Sequence, residues 1–340
     1  MRKMLNTLYV LTPESYLTKD GEDIVISVKQ TETFRIPIIN VEGIVMFGYM
    51  GASPGAMKLC ADHCVSLTFL SPNGRFISRS VGPLHGNVLL RKAQYEAVED
   101  ESFKHRVSNL FIGGKIKNYQ NIVSRYTRDY GTTSELQDAI QALSSYRHLA
   151  LQSDDDASLR GIEGEAARTY FKVFPSLIVQ QKDDFPFNGR NRRPPKDAVN
   201  AMLSFAYTLI CNDMVAALET VGLDPYMGFF HTLRPGRPSL ALDMMEELRA
   251  YLGDRFVLSL INRRQVSKSD FRSQGDEGIL MTDSGKKNFI KAWQDRKREL
   301  ITHPFLGEKI ELGLLPYAQA MLMARFLRRD IDDYPVFLIK

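Results

Sequence analysis

The sequence predicts an α+β fold: an N-terminal β-sheet domain over residues 1–83 and a larger all-α-helical domain over 93–340, joined by a hinge at 84–92. Three observations predict it. Short β-branched runs set between turn residues fill roughly the first eighty positions. From about Gly86 onward the apolar period becomes helical. Between the two lies Gly82-Pro83-Leu84-His85-Gly86, a Gly/Pro break.

Leu8–Leu11 and Asp23–Val28 read as strands separated by the turn-prone Lys19-Asp20-Gly21, with Thr33–Ile39 and Gly43–Phe47 as further strands. A short helix over Pro54–His63 interrupts them. Val65–Leu70 and Arg75–Ser80 then flank Pro72-Asn73-Gly74, and Asn-Gly between apolar runs signals a hairpin. Beyond the hinge, Val88–Val98, Glu101–Lys117, Leu136–Leu149 and Ala157–Val173 have helical spacing, and a long helix follows Pro194-Pro195 as far as Val221.

With 340 residues, 44% hydrophobic and 25% charged, the chain has a globular make-up, which excludes disordered and fibrous classes. No apolar run approaches the ~20 residues that span a bilayer. The opening Met1-Arg2-Lys3-Met4-Leu5-Asn6 lacks a signal peptide's apolar core. A cytoplasmic protein with no membrane partner is expected. Three cysteines, Cys60, Cys64 and Cys211, do not build a disulfide framework, and a short helix is expected to turn Cys60 and Cys64 inward together.

The net charge of +4 is mild, but its distribution is uneven. Arg190, Arg192, Arg193 and Lys196 form one basic cluster, and Arg263, Arg264, Lys268 and Arg272 a second. Lys286, Lys287, Lys291, Arg296, Lys297 and Arg298 form a third. A basic run is usually a solvated face, yet three in the C-terminal two thirds point to a polyanion partner.

Acidic residues supply the chemistry. In Gly161-Ile162-Glu163-Gly164-Glu165-Ala166-Ala167-Arg168 the helical neighbours of Glu163 are Ala166 and Ala167, whereas Glu165 neighbours Arg168 and Thr169. An acid on an apolar stripe needs a cation, so Glu163 is singled out. The two glycines suggest a close packing partner on this face. His231 lies in a Gly/Pro-rich loop, Gly228–Pro238, where a structural histidine is the commoner outcome. Ser239 opens a helix in which Asp243, Glu246 and Glu247 share a face. The helix dipole accounts for Asp243 but not for the two glutamates, and carboxylates on one face repel unless a cation sits among them. One imidazole and several carboxylates suit a hard divalent ion such as Mg²⁺ or Mn²⁺, and with the basic clusters imply metal-assisted phosphoryl transfer on nucleic acid.

These residues resemble a known family, the CRISPR-associated spacer-acquisition endonuclease/integrase (Cas one). The resemblance is carried by Gly161-Ile162-Glu163-Gly164 with Tyr170-Phe171, by Gly228-Phe229-Phe230-His231, and by Leu242-Asp243-Met244-Met245-Glu246-Glu247. Arg192 through Asn200 with Leu203-Ser204-Phe205-Ala206-Tyr207, and Gly313-Leu314-Leu315-Pro316-Tyr317 through Asp333-Tyr334-Pro335, extend it over essentially the whole chain. The wording is most similar to subtype I-C members. The resemblance implies a β domain, a helical catalytic domain and a homodimer. It also implies Mg²⁺- or Mn²⁺-dependent cutting and joining of double-stranded DNA. With a small adaptation partner (Cas two), captured DNA is inserted at a CRISPR repeat by 3′-hydroxyl attack on a phosphodiester. By position, Glu163, His231 and Glu246 become the metal ligands and Asp243 an additional catalytic carboxylate, with Glu247 the rival for the third ligand.

Lesser expectations complete the reading. Arg192, Arg193, Lys196 and Arg237 are candidate DNA contacts, and Asn200, Ser204 and Tyr207 share one face of a helix, either behind the site or in the core. His303 and Trp293 read as structural. The alternatives are a general repair or branched-DNA nuclease and a non-catalytic DNA-binding subunit.

Overall fold

The computed structural model describes residues 6–82, 88–191, 194–275 and 278–339. In chain order the N-terminal region forms β1 (Thr7–Val10), β2 (Ser15–Asp20), β3 (Asp23–Val28), β4 (Thr31–Pro37), β5 (Gly43–Phe47), α1 (Pro54–Asp62), β6 (Ser66–Leu70) and β7 (Phe76–Ser80). Strands β2, β3 and β4 are an antiparallel meander. β5 pairs in parallel with both β1 and β6, and β7 closes that sheet antiparallel to β6. The strand β2 is absent from the periodicity reading. Lys19 and Asp20 belong to it, and the chain reverses at Gly21-Glu22, between the paired Asp20 and Asp23, with Gly21 at φ +56°.

Every residue of β5 is buried, as befits a strand paired in parallel on both sides and covered on both faces. Ile44 and Met46 join Leu17, Ile24 and Leu67 in the core of the β region. Val45 and Phe47 point the other way, into the core that runs through the helices. The two regions therefore share apolar packing across one strand. α1 ends at Asp62, which takes Cys64 off the helix to φ +52°. Cys60 is buried, but Cys64 is exposed, so the expected pair of inward thiols is not formed.

The helical region comprises α2 (Val88–Glu99), α3 (Glu101–Tyr130), α4 (Ser134–Leu151), α5 (Asp156–Val173), α6 (Ala198–Val221), α7 (Ser239–Leu248), a π-helical turn at Arg249–Asp254, α8 (Arg255–Asn262), α9 (Asp283–Lys297) and α10 (Leu315–Leu327). Two short ladders that the helical period did not signal, β8 (Phe271–Ser273) with β9 (Ile279–Met281) and β10 (Leu300–Thr302) with β11 (Lys309–Glu311), lie among them. Of the expected hinge at 84–92, residues 84–87 lie outside the described residues, and Val88 to Lys92 are already helical.

α3 is far longer than its amphipathic segment suggested. Its middle is buried at Gly113 and Gly114, where an added Cβ would lie 2.7 Å from Leu151 and 2.1 Å from Val336. Contrary to the expectation from apolar runs, α6 is apolar and long enough to cross a bilayer, but most of it is buried as a core helix. The third basic cluster is not a uniform solvated face. Lys297 is buried against Asp213 at 3.0 Å, Lys286 is buried beside Asp283, and Trp293 is buried as expected. His303 is likewise internal, with Nε2 2.9 Å from Gln319 Oε1.

Candidate active site

α7 holds the loop that carries His231. The backbone N–H groups of Phe229 (2.6 Å) and Phe230 (3.1 Å) donate to Asp243 Oδ2. The His231 N–H donates to Oδ1 at 2.8 Å. Asp243 is fully buried and accepts all three, and in the 2.7 Å contact between His231 Nδ1 and the same Oδ1 the ring N–H is the donor that matches an oxygen already serving as acceptor. Gly228 is required here, because a Cβ would stand 2.5 Å from Asp243 Oδ2 and 2.6 Å from the backbone of Ser239 and Leu240. Arg160 secures the loop from α5, donating to Phe230 O at 3.1 Å. Ser239 does not cap α7. Its hydroxyl donates to Thr232 O, and the helix starts without a side-chain cap.

With Nδ1 committed, the Nε2 lone pair of His231 is turned toward Glu246, 3.9 Å from Oε1. Glu246 is 2% exposed and lies among cations: Arg249 Nη1 donates to it at 2.9 Å and Lys115 Nζ at 2.8 Å. Burial pushes its carboxyl upward, but the cations Arg249 and Lys115 outweigh burial and hold it down at about 2. Lys115 Nζ also donates to Glu163 Oε1 at 2.5 Å, which ties α5 to α7 through α3. Burial lowers the Lys115 ammonium, yet Glu246 and Glu163 more than offset this and keep it charged.

A cleft of about 640 Å³ opens over this centre, lined by Lys115, Glu163, Gly164, Arg168, Lys172, Arg190, Tyr207 and Arg249 among others. Its lining has five basic side chains against one carboxylate, a charge balance that favours an anion. Tyr207 organises two of those cations. Arg249 lies 4.9 Å and Arg190 5.3 Å from its ring centroid, while its hydroxyl donates to Asp254 at 2.5 Å. Arg190 also donates to Asn200 Oδ1 (2.7 Å) and Ser204 Oγ (3.1 Å). The face Asn200–Ser204–Tyr207 is thus the wall that aims Arg190 and Arg249 into the cleft. Asp254 sits on the π-helical turn, where burial pushes its carboxyl up to about 6 despite Tyr207 and Arg249.

Residues 8–295 match the model of the family described as CRISPR associated protein Cas1. The chain is 47% identical over 341 residues to the CRISPR-associated endonuclease Cas1 1 of Chlorobaculum tepidum, covering 99% of each. This chain belongs to the CRISPR-associated Cas1 family. Solved structures repeat the fold at low identity. A casposase bound to integration product superposes with a TM-score of 0.83 at 21% identity, covering 97% of this chain and 93% of that one. A chain of a Cas6-RT-Cas1–Cas2 complex gives 0.84 at 20% identity, covering all of this chain (100%) and 37% of its own length.

In this Cas1-family chain Glu163 lines the cleft, Glu246 reaches it through Lys115, and His231 approaches Glu246, whereas Glu247 is turned away. Its carboxylate is buried on the far side of α7, accepting from Tyr334 (2.5 Å), Gln319 (3.0 Å) and the Phe337 backbone. Asp243 is not explained by a helix dipole, since it receives the loop's N–H groups. The close packing expected at Gly161 and Gly164 is also absent: a Cβ at either would meet nothing within 4 Å, and Gly164 faces the cleft. Arg192 and Arg193 lie outside the described residues. Lys196 is exposed ahead of α6, and Arg237 is half-buried in the loop after His231. Sequence reasoning missed Lys115, Arg190 as a cleft residue, and Arg249. The Gly113-Gly114 pair beside Lys115 was the available sign, because a lysine in a helix segment tight enough to need two glycines is buried and must have carboxylate partners.

Among the described residues no three acidic, histidine or cysteine side chains stand close enough to enclose an ion as they are. The ammonium of Lys115 bridges the two glutamates instead. One pair of these donors is nevertheless spaced for a divalent cation. Two ligand atoms about 2.1 Å from one ion lie at most about 4.2 Å apart. His231 Nε2 and Glu246 Oε1, at 3.9 Å, satisfy that limit.

Proposed function

We propose that this chain is a divalent-metal-dependent DNA endonuclease/integrase of CRISPR adaptation, with Glu163, His231 and Glu246 as ligands of Mg²⁺ or Mn²⁺. The observation that carries the reading is a chain of contacts, Glu163 to Lys115, Lys115 to Glu246 and Glu246 to His231, beside a cleft lined by five cations and one acid. When bound, the ion would polarise the phosphodiester and stabilise charge on the oxygens that attack and leave. Asp243 keeps the His231 Nε2 lone pair directed at the ion, the role of a carboxylate behind a metal-bound imidazole. Arg190 and Arg249, braced by Tyr207, hold phosphate oxygens in the cleft. Lys196 and Arg237, with Arg192 and Arg193, extend the phosphate contacts along the duplex.

The reaction is insertion of captured DNA by 3′-hydroxyl attack at a CRISPR repeat. Its partners are double-stranded DNA, a small Cas2-type protein and a second copy of the chain. The integration product and the Cas2 component in the names of two of the fold's solved neighbours support the first two of these. The motif wording supports subtype I-C, and a double-stranded DNA substrate goes with a cytoplasmic site of action.

Strand transfer of short labelled duplex into a repeat-bearing plasmid, with the purified Cas2-type partner and Mn²⁺, tests the reading. Glu163→Ala and His231→Ala should each lower the rate at least about 100-fold. Retained activity in either variant refutes the assignment. Equal insertion into repeat-free plasmid favours a general repair nuclease.

A further inference from the structure

Lys115 is the buried cation that the ligand assignment leaves without a role. It reaches the centre from α3, and its side chain is 2% exposed. Its ammonium donates to Glu163 Oε1 at 2.5 Å and to Glu246 Oε2 at 2.8 Å. These are the two carboxylates that would hold a metal ion. A buried ammonium is stable only against such partners, so the contact is specific. An ion coordinated by the same carboxylates would face a like charge on the same pair of side chains. With Lys115 and Arg249 both engaged, Glu246 has no carboxylate charge left unopposed.

Resting on the metal reading above, we propose that Lys115 is a resident counter-ion that holds the Glu163–Glu246 pair in the metal-free protein and must withdraw for a divalent ion to bind. The cleft supplies the place to withdraw to. Lys115 lines it together with Arg190 and Arg249, and the ring of Tyr119, 5.9 Å from Nζ, offers a π face on the way. A DNA phosphate in that cleft attracts the ammonium away from the carboxylates. DNA and metal then promote each other's binding, because each favours the same withdrawn position of one side chain. The centre stays neutralised until substrate arrives, and its full negative charge meets the ion only with DNA in place.

The test is Mn²⁺ binding to the full chain, followed by titration calorimetry and by the loss of the free-ion EPR signal, with and without a short duplex. Melting temperatures are recorded with and without saturating Mn²⁺. Lys115→Met should bind Mn²⁺ at least tenfold more tightly than wild type without DNA, and duplex should enhance that binding much less than in wild type. Its melting temperature should fall in chelator and recover in Mn²⁺, whereas a merely structural lysine would lower both equally. Lys115→Gln keeps hydrogen-bonding capacity without the charge. It should show the same tightening, and it serves if the Met variant does not fold. Mn²⁺ affinity in both variants equal to or weaker than wild type overturns the proposal and leaves the metal reading intact. No Mn²⁺ binding by wild type or variants overturns both.

Discussion

Replacing Asp243 should unfasten the histidine loop before it affects any chemistry. Its carboxylate accepts three backbone N–H groups and the His231 imidazole within 2.6–3.1 Å, and it has no exposure to solvent. Leaving a buried donor unpaired costs about 1–3 kcal/mol, and water entering the space recovers part of that. Asp243→Ala is therefore expected to lose roughly 3–6 kcal/mol, or a melting temperature about 5–10 °C lower in a chain of this size. Asp243→Asn keeps one acceptor oxygen but turns an amide N–H₂ toward donors, so it should fall between Ala and wild type. His231 loses the partner that sets its tautomer, which costs about 10–100-fold in metal affinity or strand-transfer rate. Gly228→Ala should reproduce both effects, because the new Cβ would meet Asp243 Oδ2 at 2.5 Å. Scanning fluorimetry and the strand-transfer assay, run on the same preparations, decide the matter. An Asp243→Ala protein that melts with wild type but is inactive would refute the clamp and make Asp243 a residue that acts on the substrate or ion itself.

Other perturbations follow from the same geometry. Asp254 is raised in the folded chain to about 6 from an ordinary value of 3.8. A raised carboxyl contributes its stability below the unfolded value and loses it as pH rises through the folded one. Asp254→Asn should therefore gain on wild type between about pH 4 and 7, by up to about 3 kcal/mol, read from denaturant melts across that range. A flat difference would show that burial is not what shifts it. Gly161→Ala adds a Cβ that touches nothing and should stabilise α5 by about 0.5–1 kcal/mol. Gly114→Ala meets Val336 at 2.1 Å and should destabilise by about 1–3 kcal/mol in the same melts. Arg190→Ala should weaken DNA binding and reduce the log–log salt slope by about 0.9, the amount expected for one phosphate contact.

Local order in the sequence determined a great deal of this molecule. Alternation and turn residues located most of the strands of the β region, and helical period located α2, α4, α5 and α6 nearly to their ends. Residues three and four apart on a helix are neighbours whatever the fold, so Glu163 could be preferred to Glu165, and Glu165 is indeed paired with Arg168 at 3.0 Å. The same rule puts Asn200, Ser204 and Tyr207 on one face whatever that face touches. It went wrong where a face had to be assigned a surrounding. Gly161 and Gly164 looked like a packing surface and are open. Cys64 looked helical but falls past the end of α1. Asp243, Glu246 and Glu247 looked like one repelling cluster. Tertiary packing separates them, sending Asp243 to the loop N–H groups, Glu246 to Lys115 and Arg249, and Glu247 to Tyr334 and Gln319. Helical spacing carries no information about which charge lies opposite, because the opposing group comes from a distant part of the chain. Lys115 stands 48 residues before Glu163, and its bridge to Glu246 exists only because α3, α5 and α7 pack together. Sequence thus determined which residues could be catalytic ligands, and the packing of three helices decided which cation they hold.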